Sequence, residues 1–466
     1  MGKEATIDRA KSAFFVGALY FCFGAMERAT WPNLLPSIGT YFEVSSTAVA
    51  WTVIAFALGM AGSTLAAGRL GDLLGHRRLA VAGFTAEGLL LLACALSPVL
   101  WPIFLFRFLQ GFAAAAALNN ITAIAVGAFP RERRGRAIGA VSGFAAFGLM
   151  IGPLYGGFVA DLLDWRWAIG IIGLYVLAQA LVTQIMAPAD RTAVQLKDAR
   201  TLHWTGAFGF LVAMVTLIVA AQMMRAADTR LIGAALLAVF VVVTALTLRL
   251  EARAPAPILG LRLFKEWNFS LASASLIWFS LAFGAMNVLF PFYLQEGLGW
   301  TLAASGLILV SMNAVQPFGS PLSGLLADRL GSVRVMVAGT VVGVASLLLA
   351  GALGSAPETW HIVLALTLFG ASVSLFMPPV SRVIFAHAPQ NALAGAASMA
   401  TSGRYIGQSL GVAFGAALLV TGGGAPLAEA FGNAMTTLAV VLAGGLALIA
   451  LAKPAVGLMQ RRKAAA

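Results

Sequence analysis

Five ionisable side chains interrupt the long apolar runs of this sequence: Glu27, Arg28, Glu87, Arg107 and Arg404. A charged residue at the centre of a bilayer costs at least about 2.5–3.5 kcal/mol on insertion scales, so each is a candidate functional residue. Burial favours the neutral form of a carboxyl group, whereas a nearby arginine favours its charged form. A glutamate held between these two influences can take up and release a proton as its surroundings change.

Glu27 and Arg107 are predicted to pair inside the membrane. At a rise of about 1.5 Å per residue, Arg107 lies roughly 10 Å and Glu27 roughly 15 Å from the corresponding ends of their apolar runs, so they can share a level. Glu27 is predicted to be the main proton or cation site; the alternative is a permanent structural ion pair with Arg28 or Arg107. Glu87 is open to three interpretations: a second proton carrier, a counter-charge for a substrate, or a buried glutamate bonded to a neighbour.

The composition places most of the chain in lipid. It is 60% hydrophobic and only 10% charged, with a mean hydropathy of +0.91. Soluble domains carry about 25% charged residues, so this chain is predicted to be an integral membrane protein. Cys22 and Cys94 both lie in apolar runs, which argues against a disulfide framework or a cysteine-rich metal site. Because the histidines are scattered and no phosphate-loop motif occurs, neither a metal nor a nucleotide cofactor is expected.

The chain contains fourteen apolar runs of the length that a membrane span requires, which is about 20 residues. The alternation typical of membrane strands is absent, so every span is predicted to be helical. The predicted spans are residues 12–37, 47–67, 79–97, 100–128, 137–161, 166–188, 204–224, 230–249, 268–294, 302–326, 333–354, 360–386, 392–420 and 431–452.

The positive charges are unevenly distributed among the loops. Loops rich in arginine, such as the one with Arg69, Arg77 and Arg78, alternate with loops that are poorer in positive charge. By the positive-inside rule, the basic loops and both termini are predicted to be cytoplasmic. This orientation signal accounts for the net charge of +12 better than nucleic-acid binding does.

The chain is predicted to consist of two related halves. The stretch Gly68–Arg78 recurs as Gly324–Arg334, with glycine, aspartate, glycine and arginine at matching positions. Such internal repetition is typical of a duplicated unit. Two linkers, 189–203 and 251–267, bracket spans 7 and 8. The predicted organisation comprises an N-terminal six-helix bundle at 12–188, inserted helices 7 and 8 at 204–250 and a C-terminal six-helix bundle at 268–452.

Several motifs resemble those of the major facilitator superfamily, in its branch of fourteen-span drug:proton antiporters. Gly68–Arg78 resembles the loop motif between spans 2 and 3, and Gly148–Gly157 resembles the antiporter motif of span 5. Weaker matches are the span 4 motif at Arg107–Gly111, the start of span 6 at Trp165–Trp167 and the linker at Glu251–Phe264. The resemblance implies an all-α integral membrane protein with the major facilitator fold: two six-helix bundles plus two inserted helices, 14 transmembrane helices in all.

The resemblance implies that the loop motif is a conformational latch between the halves. An aspartate at a helix end can meet the positive N-terminus of another helix or a nearby arginine. The alternative is a plain turn that also orients the chain. The residues concerned are Gly68, Asp72, Gly75, Arg77 and Arg78, with Asp328 and Arg334 in the second copy.

The span 5 motif is implied to form a tight seam that excludes water. Small residues four apart let helices approach closely, and simple packing explains them equally well. The motif residues are Gly148, Gly152, Pro153, Gly156 and Gly157. The family also places an acidic residue in span 1 nine positions before a proline, and Glu27 and Pro36 keep that spacing.

Polar residues inside the spans are candidates for lining a substrate cavity. For any one amide, a hydrogen bond between helices is the competing interpretation. Arg404 matches an arginine of the family branch, which leaves an ordering role or a substrate contact open. The candidates are Asn33, Asn120, Asn287, Asn313, Gln316, Arg404 and Gln408.

The resemblance implies a proton-coupled exporter of amphipathic small molecules or drugs, working by alternating access in a bacterial inner membrane. Its energy source is then the proton gradient rather than a cofactor, and its partners are protons, lipid and a small-molecule substrate. Whether a periplasmic adaptor protein also binds is open. No enzymatic activity is expected. The alternatives are a transporter for a specific metabolite, siderophore or lipid in the same fold, and an intramembrane enzyme.

Overall fold

The computed structural model describes residues 3–129, 134–190, 204–224, 229–253, 261–388, 393–420 and 426–450. Within these ranges every regular element is a helix, which confirms the all-α prediction. The helices are α1 Lys3–Tyr41, α2 Ser46–Leu74, α3 His76–Leu96, α4 Leu100–Gly127, α5 Arg134–Leu162, α6 Trp165–Met186, α7 Trp204–Met223, α8 Arg230–Arg253, α9 Trp267–Phe292, α10 Leu302–Ala314, α11 Gln316–Leu330, α12 Ser332–Gly351, α13 Thr359–Ala386, α14 Leu393–Val420 and α15 Leu427–Ala450.

Eleven helical segments in the described part of the chain are long and apolar enough to cross a membrane. One of them is continuous through α10 and α11, and another continues α9 through a π-helical turn, Tyr293–Gly297. These eleven, together with α1, α7 and α14, correspond to the fourteen predicted spans. The number of helices that cross the bilayer remains a prediction.

The predicted helix at 302–326 is divided into α10 and α11. Pro317 stands in the first turn of α11, where a residue without an N–H group is tolerated. A proline inside a continuous helix would instead remove a backbone hydrogen bond. The predicted span at 302–326 therefore contains two helices, which together form one segment long and apolar enough to cross a membrane.

The two copies of the loop motif fold into the same turn. α2 ends at Gly75 and α11 ends at Gly331, and the φ angles of these glycines are 101° and 90°. Glycine adopts such angles at little steric cost, whereas residues with a Cβ atom rarely do. Each glycine directly precedes the next helix, so the repeat in the sequence is also a repeat in backbone geometry.

Helix packing follows the same repeat. In the first half, α1–α6, the helix α1 packs on α5, α2 on α4, and α3 on both α4 and α6. In the second half, α9–α15, the helix α9 packs on α14, and α12 packs on α13 and α15. Two seams join the halves, one between α2 and α14 and one between α5 and α10. The inserted helices α7 and α8 pack on each other, and α7 also packs against α2.

Two ends of the molecule serve as landmarks. The Gly75 end contains the turns at Gly75 and Gly331, between α2 and α3 and between α11 and α12. The Asp161 end contains the short connection from α5 to α6, where Asp164 caps α6 by accepting a hydrogen bond from the Arg166 N–H. α10 also begins at the Asp161 end, and Thr301 caps it in the same way by accepting from the Ala304 N–H.

Candidate functional site

The ion pair predicted from depth is formed between α1 and α4. Arg107 Nη1 donates to Glu27 Oε1 at 2.6 Å, and both side chains are 2% exposed. Gln110 lies one turn further along α4, where its Oε1 accepts from the same Nη1 at 2.6 Å and its Nε2 donates to Glu27 Oε1 at 3.3 Å. Glu27 Oε2 is buried and has no hydrogen-bond partner among the described residues.

Residues of α1 and α2 fix the orientation of the Arg107 guanidinium. Its Nε donates to the backbone oxygen of Thr52 at 3.2 Å. Its Cζ lies 3.9 Å from the Trp31 ring centroid and 4.5 Å from that of Phe56, which are cation–π distances. The Trp31 indole N–H in turn donates to Thr52 Oγ1 at 2.8 Å. Arg107 is thus bonded or stacked on several sides. Its pair with Glu27 is a closed pair, meaning that the two side chains are bonded to each other.

A second arginine and a second glutamate lie beside this pair but do not bond to each other. Glu87 on α3 is 1% exposed, and neither of its carboxylate oxygens has a hydrogen-bond partner in the described ranges. Arg28 Nη1 is also buried without a partner among those residues. Glu87 interacts electrostatically with Glu27, Arg28 and Arg107, so the four charges form one cluster.

The loop motif holds α3 through a residue that the sequence analysis missed. Asp190, just after α6, accepts from the backbone N–H groups of Arg77 at 2.9 Å and of Arg78 at 3.1 Å. A Cβ atom at Gly75 would collide with the Asp190 carboxylate. This position therefore requires glycine for steric reasons as well as for its positive φ angle. The Arg77 guanidinium also bonds to the Gln184 carbonyl oxygen of α6.

The two aspartates of the predicted latch contact residues of their own halves. Asp72 is 72% exposed, and its Oδ1 lies 3.4 Å from Nε2 of His76. Asp328 Oδ1 lies 2.5 Å from Nη1 of Arg382 on α13. Arg334 is exposed, and Gly68 has open space where a Cβ would stand. The latch remains a prediction, because these contacts describe one conformation.

The span 5 motif packs α5 against α1 inside the first half. A Cβ atom at Gly148 would meet the Cys22 carbonyl oxygen. One at Gly152 would come within 2.7 Å of the Ala29 Cβ. Gly156 faces Thr30 in the same way, and Thr30 Oγ1 donates to the Gly152 carbonyl oxygen at 2.8 Å. These three glycines form a helix-packing face.

The next residues of the same motif face the other half. A Cβ atom at Gly157 would strike the backbone of Leu302 at the start of α10. The Pro153 carbonyl oxygen lies against Gly306 of α10 and accepts from Asn33 Nδ2 at 3.1 Å. The motif therefore belongs to two contacts, one within a half and one between the halves.

Hydrogen bonds between the halves concentrate at the Asp161 end. Asp161 accepts from the N–H groups of Leu302 at 3.1 Å and Ala303 at 2.8 Å. Asn33 Oδ1 accepts from Gln295 Nε2 at 3.2 Å and from Ser305 Oγ at 3.1 Å. These bonds close that end of the α5–α10 seam.

The other predicted cavity residues are dispersed. Asn120 bonds to Nδ1 of His76 near the Gly75 end, and Asn287 donates to the Phe283 carbonyl oxygen of its own helix. Asn313 accepts from Gln316 one turn away. The Arg404 Cζ lies 5.5 Å from the centroid of the Tyr405 ring, and the backbone of Gln408 packs against Gly284 on α9. Asn33 and Asn120 thus serve helix contacts, and a common cavity for this set remains a prediction.

An apolar cavity of about 620 Å³ opens away from the charged cluster, between α2, α4 and α7. The cavity is lined by none of Glu27, Arg28, Glu87, Arg107 and Arg404. Its walls are formed by Gly62, Ser63, Ala66, Ala67, Leu70, Phe112, Ala116, Thr205, Phe208 and Leu211. In the described part of the chain, no group of three or more His, Cys, Asp or Glu side chains could hold a metal ion.

Sequence reasoning identified the Glu27–Arg107 pair but missed Gln110 beside it and the residues that bond at the two ends of the molecule. Asp161 and Asp190 resemble ordinary loop acids in the sequence, and Gln295 and Ser305 carry no motif. Gln110 stands three residues after Arg107, one helical turn away, which is the spacing that brings side chains together. That spacing was the available signal for Gln110.

The fold and the buried cluster define a helical membrane transporter with two related halves. A family model described as Major Facilitator Superfamily matches residues 16–284 and 272–464. The chain belongs to this superfamily, which confirms the family and fold predictions, and its relatives are transporters rather than enzymes.

Three relatives show what kinds of transporter the chain resembles. An uncharacterized transporter of Escherichia coli, YebQ, is 29% identical over 89% of this chain and 88% of its own length. The multidrug resistance protein Stp of Mycobacterium tuberculosis is 29% identical over 81% of this chain and 70% of its own. The riboflavin transporter RibZ of Clostridioides difficile is 25% identical, covering 81% of each chain.

A solved structure supports the fold independently. The bacterial homologue of the human lysosomal transporter Spinster, in an inward-facing conformation, superposes with a TM-score of 0.68 over 97% of this chain and 98% of its own. Its sequence is only 13% identical, so the similarity concerns the fold.

Proposed function

We propose that this protein is a proton-coupled exporter of amphipathic small molecules or drugs. The observation that carries the proposal is the buried cluster of Glu27, Arg28, Glu87 and Arg107, in which one pair is closed and the other is open. Ionisable groups at membrane depth are costly and usually mark an ion or substrate path. Similarity to a multidrug resistance protein supports drugs as the cargo.

The coupling site is Glu27, with Arg107 as its partner and Glu87 as the second carboxyl group. A proton on Glu27 weakens its ion pair with Arg107, and loss of that proton restores the pair. Because Glu27 lies on α1 and Arg107 on α4, protonation of Glu27 weakens the contact between these two helices. A proton entering down a potential of 100 mV supplies about 2.3 kcal/mol for this cycle.

Transport proceeds by alternating access around the cluster. The closed seam at the Asp161 end and the similarity to an inward-facing transporter support a state that opens toward the Gly75 end. The arginines of the loop motif place the Gly75 end in the cytoplasm by the positive-inside rule. The protein is then a multi-pass protein of a bacterial inner membrane with both termini in the cytoplasm.

The proposal is tested in proteoliposomes that carry a pH gradient, followed with a pH-sensitive dye. Addition of ethidium, tetraphenylphosphonium or a neutral drug is expected to dissipate the gradient when the wild-type protein is present. Glu27→Gln is expected to abolish this response, since the amide cannot carry a proton. Glu296→Gln is the matched control, because Glu296 lies in the π-helical turn after α9, outside the cluster.

Two results would contradict parts of the proposal. If no compound in a broad panel dissipates the gradient, drug antiport is wrong. If Glu27→Gln keeps full coupling and Glu87→Gln loses it, the proton site lies on α3 instead of α1.

A further inference from the structure

We infer that Arg28 and Glu87 form an open ion pair that receives the substrate, and that the preferred substrate is dipolar. Arg28 binds its acceptor or anionic group, and Glu87 binds its donor or cationic group. This inference rests on the proposed function, because it names the substrate class of the same site. The first observation behind it is that both Glu87 oxygens and Arg28 Nη1 are buried without hydrogen-bond partners among the described residues.

The other charges of the cluster cannot satisfy this pair. Arg107 is occupied by Glu27, Gln110 and the Thr52 carbonyl oxygen. A buried polar group without a partner is destabilising, and more so when it is charged. A ligand that presents opposite charges to Arg28 and Glu87 relieves both costs at once.

Aromatic rings pack beside the open pair. Tyr20, two turns before Arg28 on α1, has its ring 4.8 Å from that of Phe84, which lies one turn before Glu87 on α3. The Tyr20 hydroxyl donates to the Ala114 carbonyl oxygen at 3.4 Å. Both rings are fully buried, so the two charges lie in an apolar environment, which suits an amphipathic ligand.

The cluster lies close to the second half of the molecule. Tyr405 on α14 packs in the α2–α14 seam with Phe56. The Phe56 ring lies 6.4 Å from the Tyr405 ring and also stacks on Arg107. Arg107 and its neighbours thus lie close to the α2–α14 seam between the halves.

Charge balance argues for a dipolar ligand over a simple ion. A lone cation drawn to Glu87 also meets the repulsion of Arg28, and a lone anion drawn to Arg28 meets that of Glu87. Like charges brought together in a desolvated site repel each other, so a simple ion binds there more weakly than a dipolar ligand does. A zwitterion, or a neutral molecule with a donor and an acceptor at opposite ends, avoids both repulsions.

The test compares two dyes that share one aromatic body. Rhodamine B carries a carboxylate and a delocalised cation, whereas its ethyl ester keeps only the cation. Binding to purified protein is measured by fluorescence polarisation. The wild-type protein is expected to bind rhodamine B about tenfold more tightly than the ester.

The variants separate the two charges. Arg28→Gln is expected to abolish the preference for rhodamine B, and Arg28→Lys is expected to retain part of it. Glu87→Gln is expected to weaken binding of the cationic ester. Arg166→Gln, which removes an arginine stacked on Tyr41 at the Asp161 end, is expected to leave the preference unchanged. Size-exclusion profiles show whether each variant is folded.

Equal binding of both dyes by the wild-type protein, or binding of neither, contradicts the inference. A preference that survives Arg28→Gln contradicts it as well. If the preference is present and depends on Arg28, but the proteoliposome assay shows no proton-coupled movement, then the substrate class stands and the proposed function fails. The two ideas are therefore tested separately.

Discussion

The two arginines and two glutamates of the buried cluster differ in how they are bonded. Arg107 and Glu27 are bonded at 2.6 Å and surrounded by further donors, acceptors and rings. Arg28 and Glu87 interact only electrostatically. The closed pair stabilises the contact between α1 and α4, whereas the open pair keeps polar atoms available. We expect the Glu27–Arg107 pair to contribute to stability and the Arg28 and Glu87 side chains to contribute to substrate binding.

Removal of one partner of the closed pair should be costly. Arg107→Met leaves Glu27 as an uncompensated buried charge, a change that typically costs about 3–5 kcal/mol. A large drop in the unfolding temperature of detergent-solubilised protein is expected. The double variant Glu27→Gln with Arg107→Met should be more stable than Arg107→Met alone, since no buried charge is left unpaired.

Arg166→Met provides the control for this prediction. Arg166 stacks on Tyr41 and bonds to the Ser97 carbonyl oxygen, so it too has partners, but it is only partly buried. Its replacement should lower the unfolding temperature much less. If Arg107→Met and Arg166→Met lower the unfolding temperature equally, the Glu27–Arg107 pair contributes no more to stability than the contacts of Arg166 do.

At the scale of elements, α5 is organised by the spacing of its glycines. Gly148, Gly152 and Gly156 lie four residues apart and therefore face one neighbour, α1. Gly157, one position later, is turned toward α10 of the other half. A single motif thereby sets how closely α5 approaches two different helices.

Gly148→Ala should separate α5 from α1. The new Cβ would overlap the backbone oxygen of Cys22, which cannot move as a flexible side chain can. Overpacking of this kind costs about 1–3 kcal/mol. Gly143→Ala is the matched control on the same helix, where nothing lies within 4 Å of the new atom. Thermal unfolding should show loss for Gly148→Ala and no loss for Gly143→Ala, and equal effects would contradict the packing argument.

At the scale of the whole molecule, hydrogen bonds between the two halves close the Asp161 end. Asp161 accepts from two backbone N–H groups in the first turn of α10, so its charge also favours the positive end of that helix. Asn33 adds bonds to Gln295 and Ser305 across the same seam. A change of access requires these bonds between the halves to break.

Asp161→Asn should shift the molecule toward opening at this end. The asparagine loses the negative charge, and its NH₂ group cannot accept from the second N–H of α10. The population of open molecules is read from the labelling rate of Ser305→Cys, in a background with Cys22 and Cys94 replaced by alanine. Ser305 is fully buried between the halves, so its labelling reports opening.

The labelling is performed on intact spheroplasts with a thiol reagent that does not cross the membrane. Faster labelling with Asp161→Asn is expected if the Asp161 end faces outward. An unchanged rate would count against the gate, and faster labelling only from the cytoplasmic side would reverse the proposed orientation. Glu296→Gln in the same background is the control.

Much of the fold follows from local properties of the sequence. Hydropathy predicts the helices, and the repeated Gly75 and Gly331 turns reveal the duplicated plan. Exceptions arise where a single residue acts locally, as Pro317 does at the boundary between α10 and α11. The depth of Glu27 and Arg107 was also sufficient to predict that they share a level, because rise per residue converts position into level.

The sequence by itself predicted that the chain is helical, lies in a membrane, is built from two related halves and carries five ionisable residues within its apolar runs. Only the tertiary structure decided which of them bond, that Glu87 and Arg28 remain apart, and that Asp161 and Asp190 cap helices far along the chain. The reason is physical. Hydropathy and residue spacing are properties of a single helix. The bonding partners of a side chain depend on which helix faces pack together, and the apolar surfaces of the helices do not specify that packing.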